Sequence, residues 1–256
     1  MCPSSSDKVR LQALPNKGFG LVATRDIAAS ELIIAESPLL KVKLSPEGDL
    51  EGQFVKDKRE FVSPALVQIL NQLPDNDLFK FYTLADSCSV NLAQGFCPGH
   101  DLHPGFKTNY GIIKTNSFSM DFQNQTCLTL FPTISRLNHS CQPNCNHYWS
   151  SGSLFKVRAI RDIAVGEELT ISYMSPLQRA DFHCRESRRR ILSEEFGFDC
   201  SCNLCQDSGT TRDQNDADRI GKARLLRAPY FLGAPLALAL LPKIESGARA
   251  RALTQN

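Results

Sequence analysis

The rhythm of apolar positions changes three times along the chain. Residues 9–44 carry short apolar runs broken by turn residues, the rhythm of strands. Gly18 and Gly20 fall in a turn, and Leu21, Val22 and Ala23 read as a strand. Residues 31–36 read as another, short and β-branched, closed by Pro38. Residues 45–54 are polar with two glycines and read as a loop. Helical spacing then takes over. Leu66, Ile69, Leu70 and Leu73 recur at three and four residues after Ser63-Pro64, a start signal, and Pro74 ends that helix. Asp75 or Asn76 is placed to cap a second helix through Phe79 and Tyr82 toward Leu92. Residues 95–108 read as loop. From Ile112 to Tyr173 strands return, at 128–131, 154–158 and 168–173. After Ser175-Pro176 a helix rich in Arg and Glu is expected over 185–196, with Gly197 as its C-cap. Residues 207–216 read as a polar linker, and 217–228 as one more helix.

Composition narrows the class. The chain has 256 residues, enough for a sizeable core. At 42% hydrophobic and 22% charged it is an ordinary globule rather than a disordered chain. The net charge of +2 demands no polyanionic partner. The opening ten residues lack the apolar core of a secretory signal. The longest apolar run, 231–241, is broken by Gly233 and Pro235 and is too short for a bilayer; it reads as a hydrophobic docking segment or a poorly ordered tail. An intracellular protein, nuclear or cytoplasmic, is expected. There, ten cysteines argue for metal binding or packing rather than disulfides.

Cys200, Cys202 and Cys205 place three thiols within six residues, a spacing that suits a turn wrapped on Zn²⁺. A fourth ligand must come from elsewhere. Cys141 and Cys145 are the best placed, in the stretch Asn138-His-Ser-Cys-Gln-Pro-Asn-Cys145. The alternative is three free thiols in a loop. Cys88, Cys97, His100 and His103 have looser ligand spacing, and plain loop is the preferred reading there. Asn138-His139-Ser140-Cys141 is a constrained turn, because polar groups in a core need hydrogen-bond partners. Tyr173, at a strand end before Pro176, would taken alone be a packing residue. The arginines at 185 and 188–190 have two readings, a basic recognition patch or a solvated, salt-bridged helix face. Glu186, Glu194 and Glu195 on the same helix favour the second.

Taken together, these pieces resemble the SET-domain lysine methyltransferases. The matching residues are Lys17-Gly-Phe-Gly-Leu21, Asn116-Ser-Phe118, Asn138-His-Ser-Cys-Gln-Pro-Asn144, Gly166-Glu-Glu-Leu-Thr-Ile-Ser-Tyr173 and Phe198-Asp-Cys-Ser-Cys-Asn-Leu-Cys205. They stand in family order and cover roughly residues 8 to 206. Within the family, the cysteine spacing and the Asn-Ser-Phe segment resemble the SET-and-MYND branch. The 45–105 stretch holds too few Cys and His for a MYND zinc module, and too little chain follows Cys205 for that branch's long helical domain, so a small relative without either is expected.

The resemblance implies a mainly β, α+β fold: small β-sheets around a knot-like threaded C-terminal segment. It divides the chain into a SET domain over 8–175 with a helical insert at 45–105, a zinc-bearing post-SET region at 176–206, and a tail at 207–256, partly helical or poorly ordered. It implies an S-adenosylmethionine-dependent protein-lysine N-methyltransferase. Lys17, Gly18, Phe19 and Gly20 would bring backbone near the cofactor's methionine moiety. Asn116, Ser135, Asn138 and His139 would hydrogen-bond the cofactor, and Phe198 would pack on adenine. Cys141, Cys200, Cys202 and Cys205 would bind zinc.

Tyr173 would be catalytic and line the methyl's path, orienting methyl and amine rather than acting as a base, since a phenol's ordinary pKa is ~10. Alignment of that kind is worth ~7–11 kcal/mol of barrier. The partner would be a lysine-containing protein or peptide, a histone among the candidates. No nucleic acid or membrane is required, and a monomer is expected. Two rival readings are a catalytically inactive SET-like domain serving as a chromatin or protein interaction module, and an unrelated zinc-binding structural protein. Tyr173 and cofactor binding separate these from the enzyme.

Overall fold

A computed structural model describes residues 7–45, 53–55, 60–86, 107–122, 125–150, 154–174 and 184–206. Two compact units divide the chain: Met1–Ser172 with Glu194–Phe198, and Tyr173–Ser193 with Asp199–Asn256. Among the described residues, no helix is long and apolar enough to cross a membrane.

The first unit is a set of small sheets. Strands β1 (Val9–Leu14) and β2 (Gly18–Ala23) form an antiparallel hairpin. Its turn needs Gly18 at φ +69°, a conformation that costs glycine little. Strand β3 (Leu32–Glu36) joins β10 (Cys145–Trp149) and β11 (Phe155–Ala159) in the order β10-β11-β3. Strand β4 (Leu40–Lys43) joins β7 (Phe118–Phe122) and β8 (Gln125–Leu130) in the order β4-β8-β7. A short hairpin of β5 (Gln53–Val55) and β6 (Glu60–Val62) begins in the stretch read as polar loop. Finally β9 (Asn138–His139) and β12 (Thr170–Ile171) pair in parallel.

The helices sit where the apolar spacing predicts, with three corrections. Helix α1 (Pro64–Asn71) starts as expected: Pro64 opens the first turn and the Ser63 hydroxyl accepts from Leu66 N. Helix α2 (Asp75–Thr83) is not capped by Asp75 or Asn76. Pro74 is the N-cap, and the two acids of the first turn, Asp75 and Asp77, complement the helix dipole instead. It also stops at Thr83, well short of Leu92, because Leu84 turns extended and buries itself in the core. Helix α3 (Asn109–Asn116) occupies a segment that, from Ile112 on, was read as strand. Its apolar residues Ile112 and Ile113 are adjacent rather than helically spaced, so the period gave no signal.

The N-terminus of α3 is built by a buried carboxylate. Thr108 caps it, accepting from Gly111 N at 2.9 Å. Asp86 in turn accepts from Thr108 N at 2.9 Å. The three helices then cover the β4-β8-β7 sheet with Leu66, Leu70, Phe81, Leu84, Ile112 and Ile113. Each such side chain, fully buried, is worth about 1.5–3 kcal/mol. An aromatic cluster on the other side links the two three-stranded sheets. Phe131 stacks on Phe155 at 4.7 Å, and Phe118 and His147 meet Phe155 edge-on. The buried Nδ1 of His147 meets no hydrogen-bond partner among the described residues, and burial pushes its imidazole pKa below the ordinary value.

Two outcomes follow from this packing. A helical glycine changed to alanine normally gains about 1 kcal/mol. At Gly111 the sign reverses, because a Cβ would stand 2.1–2.4 Å from the Asp86 carboxylate. Gly111→Ala should lose about 1–3 kcal/mol, measured by urea unfolding. His147 makes the fold acid-sensitive. The folded chain resists a proton that the unfolded chain accepts below a pKa of ~6.5, so stability falls as pH falls through that value. His147→Phe should therefore lose less of its urea midpoint between pH 7 and pH 5 than the parent; equal losses would refute this role.

Candidate active site and metal centre

The geometry begins with a segment clasped on both sides. Residues 166–171 run between β2 and β9. On one side Leu169 N donates to Leu21 O (2.8 Å) and Ala23 N to Glu167 O (2.9 Å). On the other, Thr170 and Ile171 register against Asn138 and His139, and Ser140 N donates to Ile171 O (3.0 Å). The 166–171 segment therefore passes beside the 138–144 bend.

Asn144 fixes the crossing. It is buried, and its amide reads both backbone groups of the passing strand. Nδ2 donates to Glu168 O at 2.8 Å, while Oδ1 accepts from Thr170 N at 2.8 Å. Nδ2 also reaches Glu167 Oε1 at 3.0 Å. Arg161 first, and Asn144 next, hold the Glu167 carboxyl below the usual range. A side chain that pairs like a strand satisfies polar groups that would otherwise be buried at a cost.

Glu168 is a second hub. Its carboxylate accepts from Lys17 Nζ at 2.6 Å and from Asn138 Nδ2 at 2.9 Å. Asn138 Nδ2 also approaches Phe19 O at 3.4 Å. Protein atoms alone already call for a glycine beside this hub. A Cβ on Gly20 would lie 2.5 Å from the Leu14 side chain and 2.6 Å from Asn138 Nδ2. Phe19 beside it is 60% exposed.

The remaining expected residues are distributed as follows. His139 is buried, with Nε2 3.4 Å from Cys141 Sγ and its ring 5.9 Å from that of half-buried Phe198. Asn116 spends its amide hydrogens on Ala85 O (2.6 Å) and Ile112 O (2.7 Å), which leaves only Oδ1 for a ligand. Ser135 donates to Asn116 O at 2.7 Å, so these two residues are joined to each other. Tyr173 lies two residues beyond β12 and is half-buried. The looser set Cys88, Cys97, His100 and His103, and the whole of 207–256, lie outside the described residues.

Within the second unit, the sulfur atoms of Cys200, Cys202 and Cys205 lie within 4.8 Å of one another, a group that could hold a metal ion. Zinc with bonds of ~2.3 Å would set its sulfurs about 3.8 Å apart in a tetrahedron, so the donors and their spacing fit. Cys145, the other candidate, is not in the group. It opens β10 opposite Ala159, and burial pushes its thiol up to about 12, which keeps it protonated. Within the second unit, the helix read as a solvated face turns three arginines toward the cysteine loop. From α4 (Arg185–Phe196), Arg185 Nε donates to Cys205 O at 2.6 Å and Arg188 Nη2 lies 4.0 Å from Cys205 Sγ. Arg189 grips the Asp199 carboxylate with two bonds. Arg190 and the three glutamates remain exposed. Gly197 ends the helix at φ +73°, as its C-cap reading requires.

Three contributors were absent from the expected site: Asn144, Glu168 and Glu36. The first two lie inside the quoted motifs, where their neighbours drew the attention. Glu36 had no local signal. Its carboxylate accepts from Thr133 N and Ile134 N, both at 2.9 Å, and so holds the turn that carries Ser135 and leads into Asn138. Burial raises its pKa.

Comparison with known proteins gives the family. The family model described as "SET domain" matches residues 18–174. Histone-lysine N-methyltransferase set5 of Schizosaccharomyces pombe is 29% identical over 207 residues, 80% of this chain and 52% of that protein. Histone-lysine N-methyltransferase SMYD3 of Homo sapiens is 45% identical over 91 residues, 36% of this chain and 19% of that protein. The chain thus spans about half the length of the first relative and less of the second. Among solved structures, the SET domain of LSMT bound to lysine and AdoHcy aligns at a TM-score of 0.41 and 16% identity, over 77% of this chain and 54% of that one. The match across 18–174, together with the SET5 and SMYD relatives, shows that the chain belongs to the SET-domain family, near its SMYD branch.

Proposed function

We propose that this chain is an S-adenosylmethionine-dependent protein-lysine N-methyltransferase, with a histone or another protein as substrate. The observation that carries the reading is the parallel pairing of β9 with β12, which holds the Asn138–His139 bend against the strand leading into Tyr173. The names of the set5 and SMYD3 relatives, both histone-lysine N-methyltransferases, support the substrate class.

S-adenosylmethionine would supply an electrophilic methyl on a sulfonium sulfur. The chain's own residues suit such a ligand. Asn138 commits its amide hydrogens to Glu168 and Phe19 and keeps its side-chain carbonyl for a donor. His139 and Phe198 offer ring faces to a purine, and exposed Phe19 flanks the same bend. Ser135 and Asn116, joined to each other, would present backbone and Asn116 Oδ1 rather than free amide hydrogens.

Tyr173 orients the incoming amine. A lysine amine would need its lone pair free to accept a methyl group, so it would have to arrive neutral. An apolar channel favours that form by desolvation. With an ordinary pKa of ~10, a phenol hydroxyl at neutral pH positions and polarises rather than removing the proton, which leaves to water. Domain roles follow the same reading: 8–175 as the SET domain, 176–206 as the post-SET region held by zinc on the four cysteines.

Titration of the purified chain with S-adenosylmethionine by calorimetry should give one site per chain, and absence of heat in zinc-replete protein would remove the reading. Tyr173→Phe should keep that binding and lower kcat about 100-fold, the usual scale for losing one transition-state hydrogen bond, in a radiolabelled methyl assay on core histones. Elemental analysis should find one zinc per chain in the parent and none in Cys205→Ser; a full complement in that variant would exclude the four-thiol site.

A further inference from the structure

We infer that the arginine face of α4 is the outer shell of the metal centre: Arg188 balances the charge of the Cys205 thiolate, and Arg185 fixes that residue's backbone. The inference rests on the reading that the four cysteines hold zinc, and concerns residues to which that reading assigns nothing.

Three observations within the second unit converge. Residues 185, 188 and 189 are spaced so that they share one face of the helix. Each reaches a different part of the cysteine loop: Arg185 the Cys205 carbonyl, Arg188 the Cys205 sulfur, Arg189 the carboxylate of Asp199, which precedes Cys200. And Arg188 is only 3% exposed. An arginine never sheds its proton, so a guanidinium so deeply buried calls for nearby negative charge. Four thiolates around a divalent ion carry two net negative charges, and the sulfur beside Arg188 is one of them. The helix itself is short of apolar residues: within the second unit it buries Ile191 and Leu192 besides Arg188. Its hold on the loop is therefore polar.

The consequence is that metal affinity should depend on residues that never touch the metal. Outer-shell partners commonly contribute about 10- to 100-fold in affinity. The test is a competition between the full-length chain and a colorimetric zinc chelator, in reducing buffer at pH 7.4, with far-UV circular dichroism reporting the fold. Arg188→Gln should bind zinc about 10- to 100-fold more weakly than the parent, Arg188→Lys should recover part of the loss, and exposed Arg190→Gln should match the parent. Should Arg188→Gln fail to fold, Arg185→Gln serves in its place, since it loses only the bond to the Cys205 carbonyl and should weaken zinc several-fold. A folded variant, at either position, that holds zinc as tightly as the parent overturns the inference and leaves the zinc reading standing. A parent chain that binds no zinc overturns both.

Discussion

One buried amide holds the architecture together. Asn144 offers a donor and an acceptor to Glu168 O and Thr170 N, and so does the work of a neighbouring strand at the point where two chain segments cross. Without it, two backbone groups of the passing strand would be buried unsatisfied, at about 1–3 kcal/mol each. With it, β12 takes one register against β9. A slip of one residue would turn Thr170 and Ile171 to opposite faces and move the approach to Tyr173 with them. The site is thus positioned by backbone pairing and a single side chain rather than by a rigid helix.

Much of this was legible in the sequence, and the legible part has a common cause. Helix α1 announces itself because Ser63, Pro64 and the Leu66-Ile69-Leu70-Leu73 spacing act locally. The cluster of Cys200, Cys202 and Cys205 was readable because its three thiols are neighbours in sequence. What was not legible depends on partners far away in the chain. Helix α3 depends on Asp86, 22 residues before its Thr108 cap, and on the β4-β8-β7 sheet that receives Ile112 and Ile113. Glu36 looks like an ordinary strand-end acid until Thr133 N and Ile134 N are found on it, 97 and 98 residues later.

The glycine of the first hairpin is called for by protein atoms alone. Gly20 was read as clearance for a cofactor. Its missing Cβ makes room for the Leu14 side chain and for the Asn138 amide that Glu168 and Lys17 hold in place. Asn138 and the glycine are linked, because a larger side chain at position 20 would displace Asn138. In the same way, the arginines of α4 were rightly recognised as a helix face, but that face is turned inward onto the cysteine loop.

The clasp between β2 and the 166–171 strand also bears on how the protein is made. Lys17 and Glu168 are 151 residues apart, and the pairing of Leu21 with Leu169 spans nearly as much chain. At about 5–20 residues per second, the ribosome delivers the second partner roughly 7–30 s after the first. Until then β2, which carries Leu21, Val22 and Ala23, has only β1 on one edge and an open row of backbone groups on the other. An apolar strand with an open edge invites pairing with other chains. During synthesis this edge of the hairpin therefore stays open until residues 166–171 arrive.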